Sequence, residues 1–265
     1  SYLSATKFLN YFTKKGDLFL IGRFLGDYQL GIYSKGYQLT VRMLKTINGI
    51  IIGVLYPSIS KVKANKEKLR SSFIDVSQIM FSIYGFIVLL GFLFSKQAVS
   101  VILGEKWNDL APLIPIFLLL AFFFALGSVG SHYLKALGYS KLIFKIVMFT
   151  SILTIVSFII GIKWGIIGVA IGYLFATIIL YICLTCFCSK HLGIKIESYI
   201  PLYLKDAVAL ALTVILFNLI SLDIIIHSNL LYLLIGTFIV SVILFTSHMV
   251  FKTQSYKVIK LLITK

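Results

Sequence analysis

From Leu110 to Leu134 the chain carries no Asp, Glu, Lys or Arg, and within that stretch Ile116, Phe117, Leu118, Leu119, Leu120, Ala121, Phe122, Phe123 and Phe124 follow one another. Comparable runs recur, and eight segments have the length and character to cross a bilayer: 4–25, 34–58, 73–95, 110–134, 142–162, 165–188, 203–221 and 229–250. A hydrocarbon core of about 30 Å takes about 20 helical residues. That core offers no partner for a bare peptide group, so a spanning segment is a helix or part of a closed barrel, and runs this long select helices over the roughly ten-residue alternation of barrel strands. The sequence therefore predicts an all-α, polytopic membrane protein with about eight transmembrane helices. Composition agrees: 59% of the 265 residues are hydrophobic and 13% charged, which excludes a water-soluble domain.

A formal charge of +16 would raise nucleic acid as a partner in a soluble protein. In a membrane protein it is read by position, because Lys and Arg collect in cytoplasmic loops and near anionic headgroups; membrane lipids are the expected partner and nucleic acid is not. If the first span runs outward, the cytoplasmic connections and tail hold Lys61, Lys63, Lys66, Lys68, Arg70, Lys135, Lys141, Lys145, Lys190, Lys195, Lys205, Lys252, Lys257, Lys260 and Lys265. Only Lys96, Lys106 and Lys163 fall in outer connections. The bias predicts a cytoplasmic C-terminus, with 251–265 as a basic cytoplasmic tail. The chain opens on Ser1, and its first segment carries lysines where a signal peptide would be purely apolar, so the start reads as internal, with an N-terminal portion expected before it.

The remaining cations, Lys7, Lys14, Lys15, Arg23, Lys35, Arg42 and Lys45, all lie in the first two spans, which are the least apolar. A charge at mid-membrane costs at least about 2.5 kcal/mol, so such residues ordinarily face water or a partner. At about 100° per residue, Lys7, Asn10, Lys14 and Asp17 share one helical sector, and Lys35, Gln38, Arg42 and Lys45 share another. A short turn around Gly26 to Gly31 makes the two spans antiparallel, which sets Lys14 and Asp17 at the depth of Arg42, and the two stripes can line one cavity. Such a cavity, cationic but for Asp17, attracts an anion; Arg offers phosphate paired donors and Lys a point charge. Lys14, Gln38, Arg42 and Lys45 are the candidate substrate-binding residues, and Asp17 the candidate for ion coupling or charge pairing. Against this stands interfacial snorkelling, which accounts best for Arg23 and Lys15 and is open to Lys7 and Lys35, with Asp17 merely neutralising Lys14.

Other features point to packing. Cys183, Cys186 and Cys188 lie in one apolar run with His191 nearby and no acid, so no metal site and no disulfide framework is expected. His132, His227 and His248 stand singly, Trp107 and Trp164 read as interfacial anchors, and Gly165, Gly168, Gly172, Gly127 and Gly130 have the small-residue spacing of close helix contacts. Pro112 and Pro115 fall at the start of a span, where proline is tolerated. No nucleotide loop or catalytic constellation occurs, so the sequence predicts a membrane transporter without cofactor or catalytic residues.

The stretch DLFLIGRFLGDYQLGIYSKGYQL, Asp17 to Leu39, resembles a segment of polysaccharide exporters of the colanic acid and teichuronic acid type, within the multidrug, oligosaccharidyl-lipid and polysaccharide exporter superfamily. Gly104, Glu105, Lys106 and Trp107 resemble that family's GEKW loop, Ala136, Leu137 and Gly138 its short cytoplasmic turn, and GIIGVAIGY at 165–173 its glycine-rich span. The resemblance implies that 1–190 form the second six-helix lobe of a transporter and 200–250 an additional helix pair. It further implies a bacterial cytoplasmic (inner) membrane protein that moves an undecaprenyl-diphosphate-linked oligosaccharide by alternating access. Its partners would be the lipid-linked oligosaccharide, the missing N-terminal lobe and the glycan polymerase machinery. A lipid II flippase or a drug extruder of the same superfamily stays open, as does a membrane-embedded glycan polymerase or acyltransferase, although a cationic drug would fit a cationic cavity poorly and the outer loops are short for an enzyme.

Overall fold

The computed structural model describes residues 16–62, 65–195, 200–219 and 228–250. Lys7, Asn10, Lys14, Lys15, Lys63, Asp223, His227 and the basic tail lie outside them, as do the side chains of Pro57, Lys61 and His248. Among the described residues all regular structure is helical. The helices are α1 (16–24), α2 (Asp27–Tyr37), α3 (Met43–Val62), α4 (Lys66–Leu103), α5 (Leu113–Ala136), α6 (Ser140–Gly161), α7 (Gly165–Leu192), α8 (Ile200–Leu219) and α9 (Asn229–Val250). A π-helical turn, Gln38–Arg42, carries α2 into α3; short 3-10 segments, Glu105–Leu110 and Ile162–Trp164, precede α5 and α7.

Four helical stretches are long and apolar enough to cross a membrane: Lys66–Leu103, Leu113–Ala136, Ser140–Leu192, which comprises α6 and α7, and Asn229–Ser247. The expected eight crossings meet this measure in part. In α1 to α3 the stripe cations lower the hydropathy. Helix α4 has 38 residues, which at about 1.5 Å each give a length of about 57 Å, well beyond the hydrocarbon core. The link between α1 and α2 is tighter than the sequence suggests: it is Leu25 and Gly26 alone, with Gly26 at φ +86°, a conformation open to glycine without strain. Helix α5 begins at Leu113, so Pro112 precedes it and Pro115 lies in its first turn, where its missing N–H breaks no helical hydrogen bond.

The chain divides into two compact units, one of residues 1–73 and 116–194, the other of 74–115 and 195–265. Helix α4 contributes to both. In the first unit α6 and α7 form a tight antiparallel pair. A Cβ placed on Gly161 would lie 2.5 Å from the Gly168 carbonyl oxygen, and one on Gly172 would lie 2.7 Å from that of Ser157. Gly130 lets α5 approach α7 in the same way, 3.1 Å from the Leu184 oxygen. Gly165 serves otherwise, turning the chain into α7 with φ +69°. At the far end of α7, Gly193 takes a left-handed conformation, and Ile194 N–H donates to Ser189 O at 2.9 Å, closing the helix as a Schellman cap. Arg70, near the start of α4, donates to the Gly193 carbonyl. His191 stacks on Tyr139, the residue before α6, with ring centroids 4.0 Å apart. Three connections thus meet at one end of this unit.

The second unit packs α8 and α9 against α4. Phe94 takes Phe217 and Tyr232 edge-on at 5.3 and 5.7 Å, with Leu89 and Val240 completing the core. Polar links flank it: Ser82 Oγ donates to the buried Asp206 Oδ2 at 3.2 Å, and Asn229 Nδ2 to Ser100 Oγ at 3.3 Å.

Candidate functional site

Asp17 enters the first unit from α1 and is 3% exposed. A carboxylate so buried needs donors. The Leu18 N–H supplies one at 2.8 Å and the Tyr33 hydroxyl of α2 another at 3.1 Å. Tyr37, one helical turn after Tyr33, presents its ring to the same partner. Both tyrosines meet Phe117 of α5 edge-on, at centroid distances of 5.1 and 5.9 Å. Tyr37 also stacks on Tyr173 of α7, the planes 8° apart and the centroids 6.3 Å, and the two hydroxyls hydrogen-bond.

Lys45 completes the group from α3. Its Nζ donates to Tyr37 Oη at 3.2 Å and lies 4.1 Å from the ring centroid of Phe124, a cation–π distance. Its charge also acts electrostatically on Asp17. The π turn brings it there. In an uninterrupted α-helix, Tyr37 and Lys45 would stand about 80° apart; one extra residue per turn removes about 100° and brings them within about 20°. The same turn rotates Lys45 away from the face of Gln38 and Arg42, both of which are exposed on the surface of the unit.

Of the candidate substrate-binding residues, Lys45 and Asp17 are thus gathered inside, Gln38 and Arg42 lie on the surface, and Lys14 falls outside the described residues. Lys35 is half-buried in the last turn of α2 and Arg23 is exposed. The site also contains residues that charge spacing did not single out. Tyr33, Tyr37 and Tyr173 are aromatic and read as core in a pattern built on charge; Thr150 with Thr154 on α6, and Tyr173 with Thr177 on α7, repeat at i, i+4 and were there to be found as polar stripes in otherwise apolar helices. Elsewhere in the unit, Asn48 Nδ2 donates to Ser128 Oγ at 3.0 Å, joining α3 to α5, and His132 Nδ1 bonds the Ser128 carbonyl at 2.7 Å.

Known sequences bear on this arrangement. Residues 1–112 match the family of polysaccharide biosynthesis proteins. The chain is 30% identical over 181 residues to the lipopolysaccharide biosynthesis protein WzxC of Escherichia coli (strain K12), covering 68% of this chain and 37% of that protein. It is 30% identical over 129 residues to the teichuronic acid biosynthesis protein TuaB of Bacillus subtilis (strain 168), 48% of this chain and 26% of that one. A membrane protein of the cps region of Klebsiella pneumoniae is 31% identical over 116 residues, 43% of this chain and 24% of its own. The matched region thus spans at most about a third of each relative. No solved structure matches. Asp17, Tyr33, Tyr37 and Lys45 all fall inside the matched segment, and by that segment the chain belongs to the polysaccharide biosynthesis protein family.

Proposed function

We propose that this chain forms part of a flippase that exports lipid-linked oligosaccharide units, carried on undecaprenyl diphosphate, across the bacterial cytoplasmic membrane for surface polysaccharide synthesis. The observation that carries the reading is the placement of cations in the family-matched segment: Arg42 on the exposed surface of the first unit and Lys45 just inside it, in helices otherwise built for lipid. Exposed Arg42, with Gln38 beside it, suits the diphosphate, since a guanidinium presents two parallel donors to phosphate oxygens. Lys14 is assigned to the same anion on spacing alone. Asp17 pairs the interior charge or couples an ion. Names of the relatives support a role in polysaccharide assembly.

On this reading the headgroup enters from the cytoplasmic side while the lipid tail stays in the bilayer, and two lobes rock to release it outward. The chain supplies one lobe, 1–190, with the 200–250 pair beside it; another lobe of the same protein supplies the rest of the path, and the glycan polymerase machinery receives the unit. The reaction is transport without covalent chemistry. The test is export of the native surface polysaccharide by cells carrying the complete gene with Arg42→Ala and Lys45→Ala together, at matched membrane abundance. Export should fall at least tenfold, with lipid-linked units accumulating inside; unchanged export would sink the reading.

A further inference from the structure

A cavity of about 120 Å³ opens beside Lys45, lined by Phe124 of α5, Thr150 and Thr154 of α6, and Tyr173 and Thr177 of α7. That is the space of about four water molecules. Each threonine spends its proton on its own helix. Thr150 Oγ1 donates to Ile146 O at 3.0 Å, Thr154 Oγ1 to Thr150 O at 2.7 Å and Thr177 Oγ1 to Tyr173 O at 2.9 Å. What these hydroxyls have left to offer is therefore lone pairs, set beside an ammonium group.

The combination is selective. Acceptor oxygens alone would suit a metal cation, but the Lys45 charge repels one. A bare anion is drawn to Lys45 yet meets the lone pairs of the threonines. Only a ligand that brings negative charge and hydroxyl protons together satisfies both sets. The rings of Phe124 and Tyr173 supply an apolar wall for the C–H face of such a group. We propose that this pocket is a subsite for a hydroxylated anion, namely the acidic edge of a sugar with its neighbouring hydroxyls, whether sugar carboxylate or sugar phosphate. The inference rests on the exporter reading and names the part of the substrate that Lys45 takes, leaving the diphosphate to exposed Arg42.

The experiment measures the thermal stability of the purified full-length protein against titrations of glucuronate, glucose 1-phosphate, glucose and sulfate. Glucuronate or glucose 1-phosphate should raise Tm saturably, and the arm that does so identifies carboxylate or phosphate as the recognised acid. Glucose, which lacks the charge, and sulfate, which lacks the hydroxyls, should bind at least tenfold more weakly. Thr150→Val with Thr177→Val keeps the side-chain shape and removes two acceptors, and should weaken the binding at least tenfold; Lys45→Gln, which keeps the threonines, should abolish the preference for glucuronate or glucose 1-phosphate over glucose. Binding by neither sugar acid, equal binding of glucose or sulfate, or wild-type affinity in the variants would overturn the proposal. Those outcomes leave the exporter reading standing, because it is decided by polysaccharide export in the Arg42 and Lys45 variants.

Discussion

Asp17 and Lys45 reach the interior of the first unit from α1 and α3, and each is met by a phenol of α2, Tyr33 for the acid and Tyr37 for the base. A buried charge stripped of its partners costs several kcal/mol, and a hydrogen bond to a charged group returns only about 1.5 to 3. The phenols alone do not carry both charges; the field of Lys45 on Asp17 supplies part of the remainder. A double-mutant cycle separates the contributions. Asp17→Asn and Lys45→Met should each lower the Tm of the purified protein. The double variant, which removes both charges while the Tyr33 hydroxyl can still donate to the Asn oxygen, should be more stable than the summed losses predict, by about 1 to 3 kcal/mol. Additive losses would show that the two charges stand independently, and Asp17 would then lose its charge-pairing role.

Helices α6 and α7 approach so closely because Gly161, Gly168 and Gly172 leave no side chain between the backbones. Gly168→Ala therefore has to push the helices apart and should cost about 1 to 3 kcal/mol, as overpacking does. Gly49 of α3 has open space where its Cβ would be, so Gly49→Ala should be neutral or stabilising by about 0.5 to 1 kcal/mol through helix propensity. Thermal melts of the two variants check the contrast, and equal losses would contradict the packing. At this scale the sequence is an uneven guide. The run from Ile116 to Phe124 announces a buried helix, because nothing but apolar contact can hold it. The π turn at Gln38–Arg42 is invisible, because a stripe drawn at 100° per residue presumes uninterrupted α-helix; that is why Lys35, Gln38, Arg42 and Lys45 look like one face and Lys45 is found inside, away from Gln38 and Arg42. Asp206 escapes notice for another reason. It heads an apolar segment, and its hydroxyl partner, Ser82, lies 124 residues away.

Over the whole molecule, orientation is set by charge. In the first unit Arg70 meets the Gly193 carbonyl, His191 stacks on Tyr139, and Ser72 pairs with Tyr133 at 2.7 Å, so the connections following α3, α5 and α7 share one end. That end holds Lys66, Lys68, Lys135, Lys141 and Lys190, all exposed. At the start of α7, Gly165 lies beside Gln29 of α2, and the exposed cation nearby is Lys163. Moving each positive charge outward against the membrane potential costs about 2.3 kcal/mol per 100 mV, and anionic lipid holds the same residues on the inner face. The lysine-rich end should therefore be cytoplasmic. Single cysteines report it, introduced into full-length protein whose Cys183, Cys186 and Cys188 have been changed to Ala, with a membrane-impermeant maleimide applied to intact cells. Lys106→Cys and Lys163→Cys should label from outside, whereas Lys68→Cys and Lys141→Cys should label only after the membrane is opened. The reverse pattern would place the basic end outside and, with it, the mouth through which a cytoplasmic lipid-linked substrate would have to enter.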